Sequence, residues 1–146
     1  MQIILRKATM EDALLLLVWR NDPETRTQSF NADVVALENH LEWLARVIAN
    51  PERILLVAEH EGVPAGTIRA DKDADGSSEI SWTVAPPMRG KGIGKAMLTA
   101  ACEMLEGDLT AKVKTVNKAS ISMAESAGFA LEREEVDFFQ YRLRRL

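Results

Sequence analysis

The stretch Val84-Ala85-Pro86-Pro87-Met88-Arg89-Gly90-Lys91-Gly92-Ile93-Gly94-Lys95-Ala96-Met97-Leu98 decides how this chain folds. Three of its eight glycines fall within five residues. Before the stretch, Ser77 to Val84 alternates as a strand does, and Pro86-Pro87 ends that alternation. After it, Ile93, Met97, Ala101, Met104 and Leu105 fall at helical spacing until Gly107. The segment therefore reads as strand, glycine-rich turn, helix. Unpaired backbone N–H groups and the positive end of the helix dipole favour anions at such a place. Arg89, Lys91 and Lys95 add charge, so a phosphate or pyrophosphate ligand is expected.

Working towards the N-terminus, Asp71 to Gly76 is a polar loop, and Ala65 to Ala70 and Arg53 to His60 are strands about an exposed Glu61-Gly62 turn. Asp33 to Ala49 is a helix with Val34, Leu37, Leu41, Leu44 and Ile48 on one stripe. Met10 to Arg20 is another, opened by a Thr9/Asp12 capping box and stopped by Asn21-Asp22-Pro23. Its Leu14 to Val18 run is apolar all round and is expected to be buried. Met1 to Lys7 is a first strand. Towards the C-terminus, Leu109 to Val116 is a half-buried strand, Ser120 to Ala127 a short helix capped by Gly128, and Phe129 to Glu135 and Phe138 to Arg144 a final antiparallel pair. The order βααβββαβαββ predicts one α/β domain over residues 1–146, a mixed sheet with helices on both faces. Met97, Met104, Met123, Phe129 and Phe138 are expected in its core.

Composition excludes several classes. The chain has 146 residues, 47% of them apolar, enough for one self-supporting core. A net charge of −4 lacks the basic footprint of a nucleic-acid binder. The apolar run Ala13 to Trp19 is far short of the ~20 residues of a membrane span, so no membrane partner is expected. The lone Cys102 rules out an internal disulfide and a cysteine zinc site, so a cytoplasmic chain without a metal is expected. Cys102 should be a buried small residue, since no base stands at a recognisable spacing from it.

Spacing separates the nucleotide motifs that compete for the glycine loop. A P-loop ending at Gly94-Lys95 needs glycine at position 89 and Ser or Thr at 96, where Arg89 and Ala96 stand. A dinucleotide fingerprint from Gly90 needs glycine at position 95, which is Lys95, and follows the first strand of a βαβ unit. The stretch resembles instead the Arg/Gln-Gly-x-Gly-x-Gly loop of the GCN5-related N-acetyltransferases, which holds the pyrophosphate of acyl-coenzyme A. Downstream, Asn117, Ser120, Ala124, Gly128 and Phe129 fall at the offsets of that family's Asn-x-x-Ala/Ser-x-x-x-Tyr-x-x-x-Gly-Phe segment. The resemblance covers the chain in element order and implies a mostly antiparallel mixed sheet and acetyl-CoA as cosubstrate. By the same resemblance, Val84, Arg89, Gly90, Lys91, Gly92, Ile93, Gly94, Lys95, Asn117 and Ser120 bind the cofactor, the strand of Val84 splays from the strand before Asn117, and a backbone N–H near Val84 to Pro86 polarises the thioester carbonyl.

One position departs from the family pattern. Where many members carry a tyrosine that protonates the departing thiolate, this chain has Ala124. A thiol with pKa near ~8.5 is a tolerable leaving group, so the loss slows the reaction without abolishing it. Tyr141 is a substitute acid or a packed strand residue. Glu79, sharing a strand face with Ser81 and Thr83, is the leading base for the attacking amine or a solvated carboxylate. Lys112 stands where some relatives carry the base.

Trp19-Arg20-Asn21 and Asn39-His40-Leu41-Glu42-Trp43 are similar to segments of acetyltransferases acting on nucleotide-linked amino sugars, and to stretches in enzymes acetylating ribosomal-protein N-termini. The resemblance implies acceptor contacts for Arg20, Asn21, His40 and Trp43, although Arg20 also suits a helix C-terminus with no ligand. The expected activity is direct acetyl transfer to a primary amine of a small molecule. A peptide N-terminal acetyltransferase and a non-catalytic acyl-CoA-binding module are the alternatives, and relatives imply a homodimer formed through sheet edges or late strands.

Overall fold

A computed structural model describes residues 1–145. Seven strands form one sheet in the order β1-β2-β3-β4-β5-β7-β6. They are β1 (Ile4–Lys7), β2 (Arg53–His60), β3 (Val63–Lys72), β4 (Ser78–Val84), β5 (Leu109–Lys114), β6 (Ala130–Glu134) and β7 (Phe138–Leu143). Every neighbouring pair is antiparallel except β4 with β5. The expected mixed, mostly antiparallel sheet is thus observed, with strand ends within three residues of the sequence reading.

The helices are α1 (Ala13–Asn21), α2 (Pro23–Gln28), α3 (Leu37–Ala49), α4 (Ile93–Met104) and α5 (Lys118–Ser126). Strand alternation sorts the core into two layers. On one face Leu56, Ile68, Ile80, Ala111 and Tyr141 pack with Met97 and Leu98 of α4 and Ala124 of α5. On the other, Leu55 and Val57 pack against Leu16 and Trp19 of α1 and Leu44 and Val47 of α3.

Several expectations need correction. The Thr9/Asp12 capping box is present, but it caps a 3-10 turn over Met10–Asp12 that precedes α1. The α1 run is not buried throughout. Leu14 and Val18 are 67% and 65% exposed, because α1 rests on the sheet by the single stripe Ala13, Leu16 and Trp19. Asn21-Asp22-Pro23 does stop α1, and Pro23 also opens α2, which was not expected: Asp22 is its N-cap, accepting from the Thr25 amide, and a proline at the first helical position lacks only an N–H that no partner would need. The next helix begins at Leu37, leaving Val34 exposed in the connection. Met104 is not core, since it ends α4 and Leu105 covers the layer in its place. Phe138 is half-buried on the opposite face, edge-on to Phe30 at 5.6 Å.

Candidate active site

A cavity of about 740 Å³ opens between α1, the α2–α3 connection, the C-terminal half of β4 and the start of α4. The parallel pairing that makes it is short. β4 meets β5 only at Ser78/Leu109 and Glu79/Thr110, and beyond these residues the two strands splay apart. Ala85 N donates to Ala65 O of β3, 2.8 Å. Amides alternate sides along a strand, so the N–H groups of Val84 and Trp82 face the gap. Trp82 spans that gap with its side chain, donating Nε1–H to Ser120 Oγ of α5 at 3.1 Å.

The glycine loop closes one end. Gly90 and Gly92 adopt φ of +75° and +78°, and a Cβ at either would meet no atom within 4 Å. The left-handed backbone requires glycine there, and the open space lies at the N-terminus of α4. Gly94 serves a different purpose. A Cβ on it would lie 2.5 Å from Met123 Sδ and 3.0 Å from Val84 Cγ2, so its lack of a side chain lets α4 seat against β4 and α5. The loop thus leaves open space beside the N-terminus of α4, where backbone N–H groups favour an anion. Gly90, Gly92, Ile93, Gly94 and Lys95 line the cavity with Val84, Asn117 and Ser120. Asn117 also caps α5, its Oδ1 accepting from Ser120 N at 3.2 Å.

Two basic residues expected on the phosphate are placed otherwise. Arg89 lines the wall, but its guanidinium bonds Asp22 Oδ2 and Glu24 Oε2 at 2.9 Å each and Thr25 Oγ1 at 2.7 Å. It anchors α2 to the loop. Lys91 is exposed and does not line the cavity, leaving Lys95 as the lysine of the loop that does.

At the other end, Arg20, His40, Trp43, Arg69 and Ser81 come together. His40 is fully buried, with Nε2 2.9 Å from Ala13 O. A carbonyl only accepts, so Nε2 carries the proton and the buried Nδ1 keeps a bare lone pair without a partner. Burial pushes the His40 pKa down, the bond to Ala13 opposes that, and the Arg20 charge adds to it. The ring stacks on Trp43, centroids 5.7 Å apart, and the Arg20 guanidinium lies 4.6 Å from the Trp43 ring centre. Burial, with the charge of Arg69, likewise holds the Arg20 pKa below its ordinary value.

Three further expected site residues do not reach the cavity. Asn21 donates Nδ2–H to Val35 O at 2.9 Å and accepts from Val35 N at 2.8 Å, so its amide fastens the α2–α3 connection. Glu79 lies outside the cavity, paired with Lys112 Nζ at 3.7 Å where β4 and β5 are still joined. Tyr141 is 2% exposed in the layer under α4 and α5, on the sheet face opposite Glu79 and outside the cavity lining, where burial, then Glu125, raises its pKa. Cys102 is half-buried in α4 away from the cavity, its pKa raised by burial. Arg69 was missed by sequence reading, although its position opposite Ser81 follows from alternation across the β3–β4 hairpin.

Comparison with known proteins agrees with this architecture. The family model described as Acetyltransferase (GNAT) family matches residues 12–129. No curated protein matches the chain by sequence. Among solved structures, the spermidine N-acetyltransferase from Vibrio cholerae, in complex with CoA and spermine, superposes with TM-score 0.90 at 17% identity, over 98% of this chain and 95% of that one. The aminoglycoside acetyltransferase AAC(6')-Ib in complex with coenzyme A gives 0.86 at 19%, over 99% and 95%. The ribosomal-protein-alanine N-acetyltransferase from Brucella melitensis gives 0.80 at 29%, over 97% and 99%. With the glycine cradle, the splayed strands and a family match over most of its length, this chain belongs to the acetyltransferase (GNAT) family.

Proposed function

We propose that the protein transfers an acetyl group from acetyl-CoA to a primary amine by direct attack within a ternary complex. The observation that carries this reading is the continuity of one cavity, from the glycine loop at Gly90 and Gly92, past Val84, to the pocket lined by Arg20, His40 and Trp43. The residues fit the cosubstrate. Gly90 to Lys95 suit its pyrophosphate, and the gap between β4 and β5 suits its extended arm. Acetyl-CoA supplies an activated thioester. The Val84 N–H faces the gap and would be the donor to the thioester oxygen, a preorganised contact of the kind worth several kcal/mol.

Ala124 is fully buried and offers no proton. A thiolate with an ordinary pKa near ~8.5 can depart without an acid, more slowly than with one, and takes its proton from solvent. Glu79, turned into its pair with Lys112, does not serve as the base, so the ammonium sheds its proton to water in the open cavity. A weakly basic amine suits such a site.

The Trp19-Arg20-Asn21 and Asn39-His40/Trp43 segments favour a nucleotide-linked amino sugar as the acceptor, in a cytoplasmic enzyme. The similarity to the ribosomal-protein-alanine enzyme favours a second reading, the α-amine of a protein N-terminus. Coenzyme A release, followed with UDP-amino sugars and with peptides, tests both. Sugar-dependent release is expected, and turnover of peptides alone overturns the sugar reading. Tight acetyl-CoA binding without amine-dependent release overturns the enzyme reading.

A further inference from the structure

We infer that Arg20 and Arg69 form a subsite for an anionic group, phosphate or carboxylate, on the acceptor. This deepens the proposed function and rests on it.

Arg20 Nη1 is buried and has no hydrogen-bond partner. A buried charged donor left unmade is costly, and the flat Trp43 ring beneath it at 4.6 Å supplies polarisable contact but no acceptor oxygen. Arg69, on β3 opposite Ser81, commits only Nε to a carboxylate, Asp71 Oδ2 at 3.1 Å, and Arg53 shares that same carboxylate at 2.9 Å. The Arg69 Nη groups have no protein partner among the described residues. Two guanidiniums line one cavity end, and the one carboxylate bound to either of them, Asp71, is shared with Arg53.

Two carboxylates line the cavity, Glu24 and Asp33. Asp22 and Glu24 hold Arg89. Asp33 lies on the exposed α2–α3 connection, and Arg20, Arg69, Lys95, Lys112 and Lys114 in the same lining outnumber it. Such a cavity end repels a polycation and matches an amine whose neighbouring group is anionic, since forked guanidinium donors bind planar or tetrahedral oxyanions.

Calorimetric titration of the CoA-saturated full chain tests the subsite, because saturation occupies the glycine cradle. Four amines are compared: glucosamine, glucosamine 6-phosphate, glucosaminic acid and spermidine. At least one anionic amine is expected to bind about tenfold or more tightly than glucosamine, and spermidine more weakly. The phosphate and carboxylate arms identify which oxyanion is preferred. Arg20→Gln and Arg69→Gln should each remove most of the preference, and Arg46→Gln, on the exposed side of α3, should leave it intact. Equal affinity for charged and neutral amines, or a preference that survives both variants, overturns the subsite. In turnover, equal KM for all amines overturns the subsite and spares the acetyltransferase reading. Anion binding lost in the Arg20 variant, with no amine acetylated, spares the subsite and overturns that reading.

Discussion

Arg89 of the glycine loop and Asp22, the N-cap of α2, are joined by a 2.9 Å ion pair across the mouth of the cavity. The pair couples the expected cofactor end to the segment covering the acceptor end. Glu24 and Thr25 bind the same guanidinium, so a side chain expected on phosphate is a clasp.

Arg89→Ala should therefore loosen α2 more than it weakens cofactor binding. A partly exposed pair held by several hydrogen bonds contributes about 0.5–1 kcal/mol. The expected outcome is a fall of that size in urea stability and a raised KM for the amine, with KM for acetyl-CoA within about threefold, a shift under 1 kcal/mol. Burial pushes the Asp22 carboxyl up, but the Thr25 amide, then Arg89, outweigh it and leave its pKa below the ordinary value. The clasp is thus complete above the unfolded carboxylate range and is lost as pH falls through the lower folded value, which acid titration of wild type against Asp22→Asn will show.

Gly92→Asp tests the cradle. The substitution adds a Cβ at φ +78° and a carboxylate beside the expected pyrophosphate. Acetyl-CoA affinity should fall at least about tenfold by calorimetry, through backbone strain of about 1 kcal/mol or more and charge repulsion. Unchanged affinity would refute the loop assignment. Gly92→Ala, carrying strain without charge, should lose less.

His40→Ala should destabilise the fold by about 2–3 kcal/mol, since it removes a fully buried ring and strands the Ala13 carbonyl. Folding lowers the pKa of His40. Its contribution is therefore complete above the unfolded value near ~6.5 and is lost as pH falls through the lower folded value. Urea midpoints should drop between neutral and acidic pH in wild type, and that drop should shrink in His40→Gln.

Tyr141→Phe and Glu79→Gln should keep kcat within about threefold of wild type, a barrier change under 1 kcal/mol. One residue is buried behind the sheet and the other is outside the cavity. A hundredfold loss of kcat in either, with CD unchanged, would return it to the catalytic centre.

By itself the sequence determined the sheet and the cradle. Strands appeared where apolar residues alternate, and Gly90, Gly92 and Gly94 marked a turn between strand and helix, because both are local consequences of side-chain period and backbone freedom. Asn117 and Ser120 were legible only as part of a family resemblance, and the structure adds that Asn117 caps α5 by accepting from the Ser120 amide. Tertiary structure decided the rest. Asp22-Pro23 stops one helix and starts another, and only packing shows that both happen. Whether Arg89 meets a phosphate or Asp22 depends on a contact between residues far apart in the chain. The sequence placed Tyr141 on the last strand, but the parity of β7 against β5 turned it away from Glu79. Arg69 joined Arg20 because a hairpin register and a helix packed on the sheet brought two distant cations to one cavity end. The glycine spacing marks where the anion of the cosubstrate should sit, and long-range packing decides which charges face the acceptor.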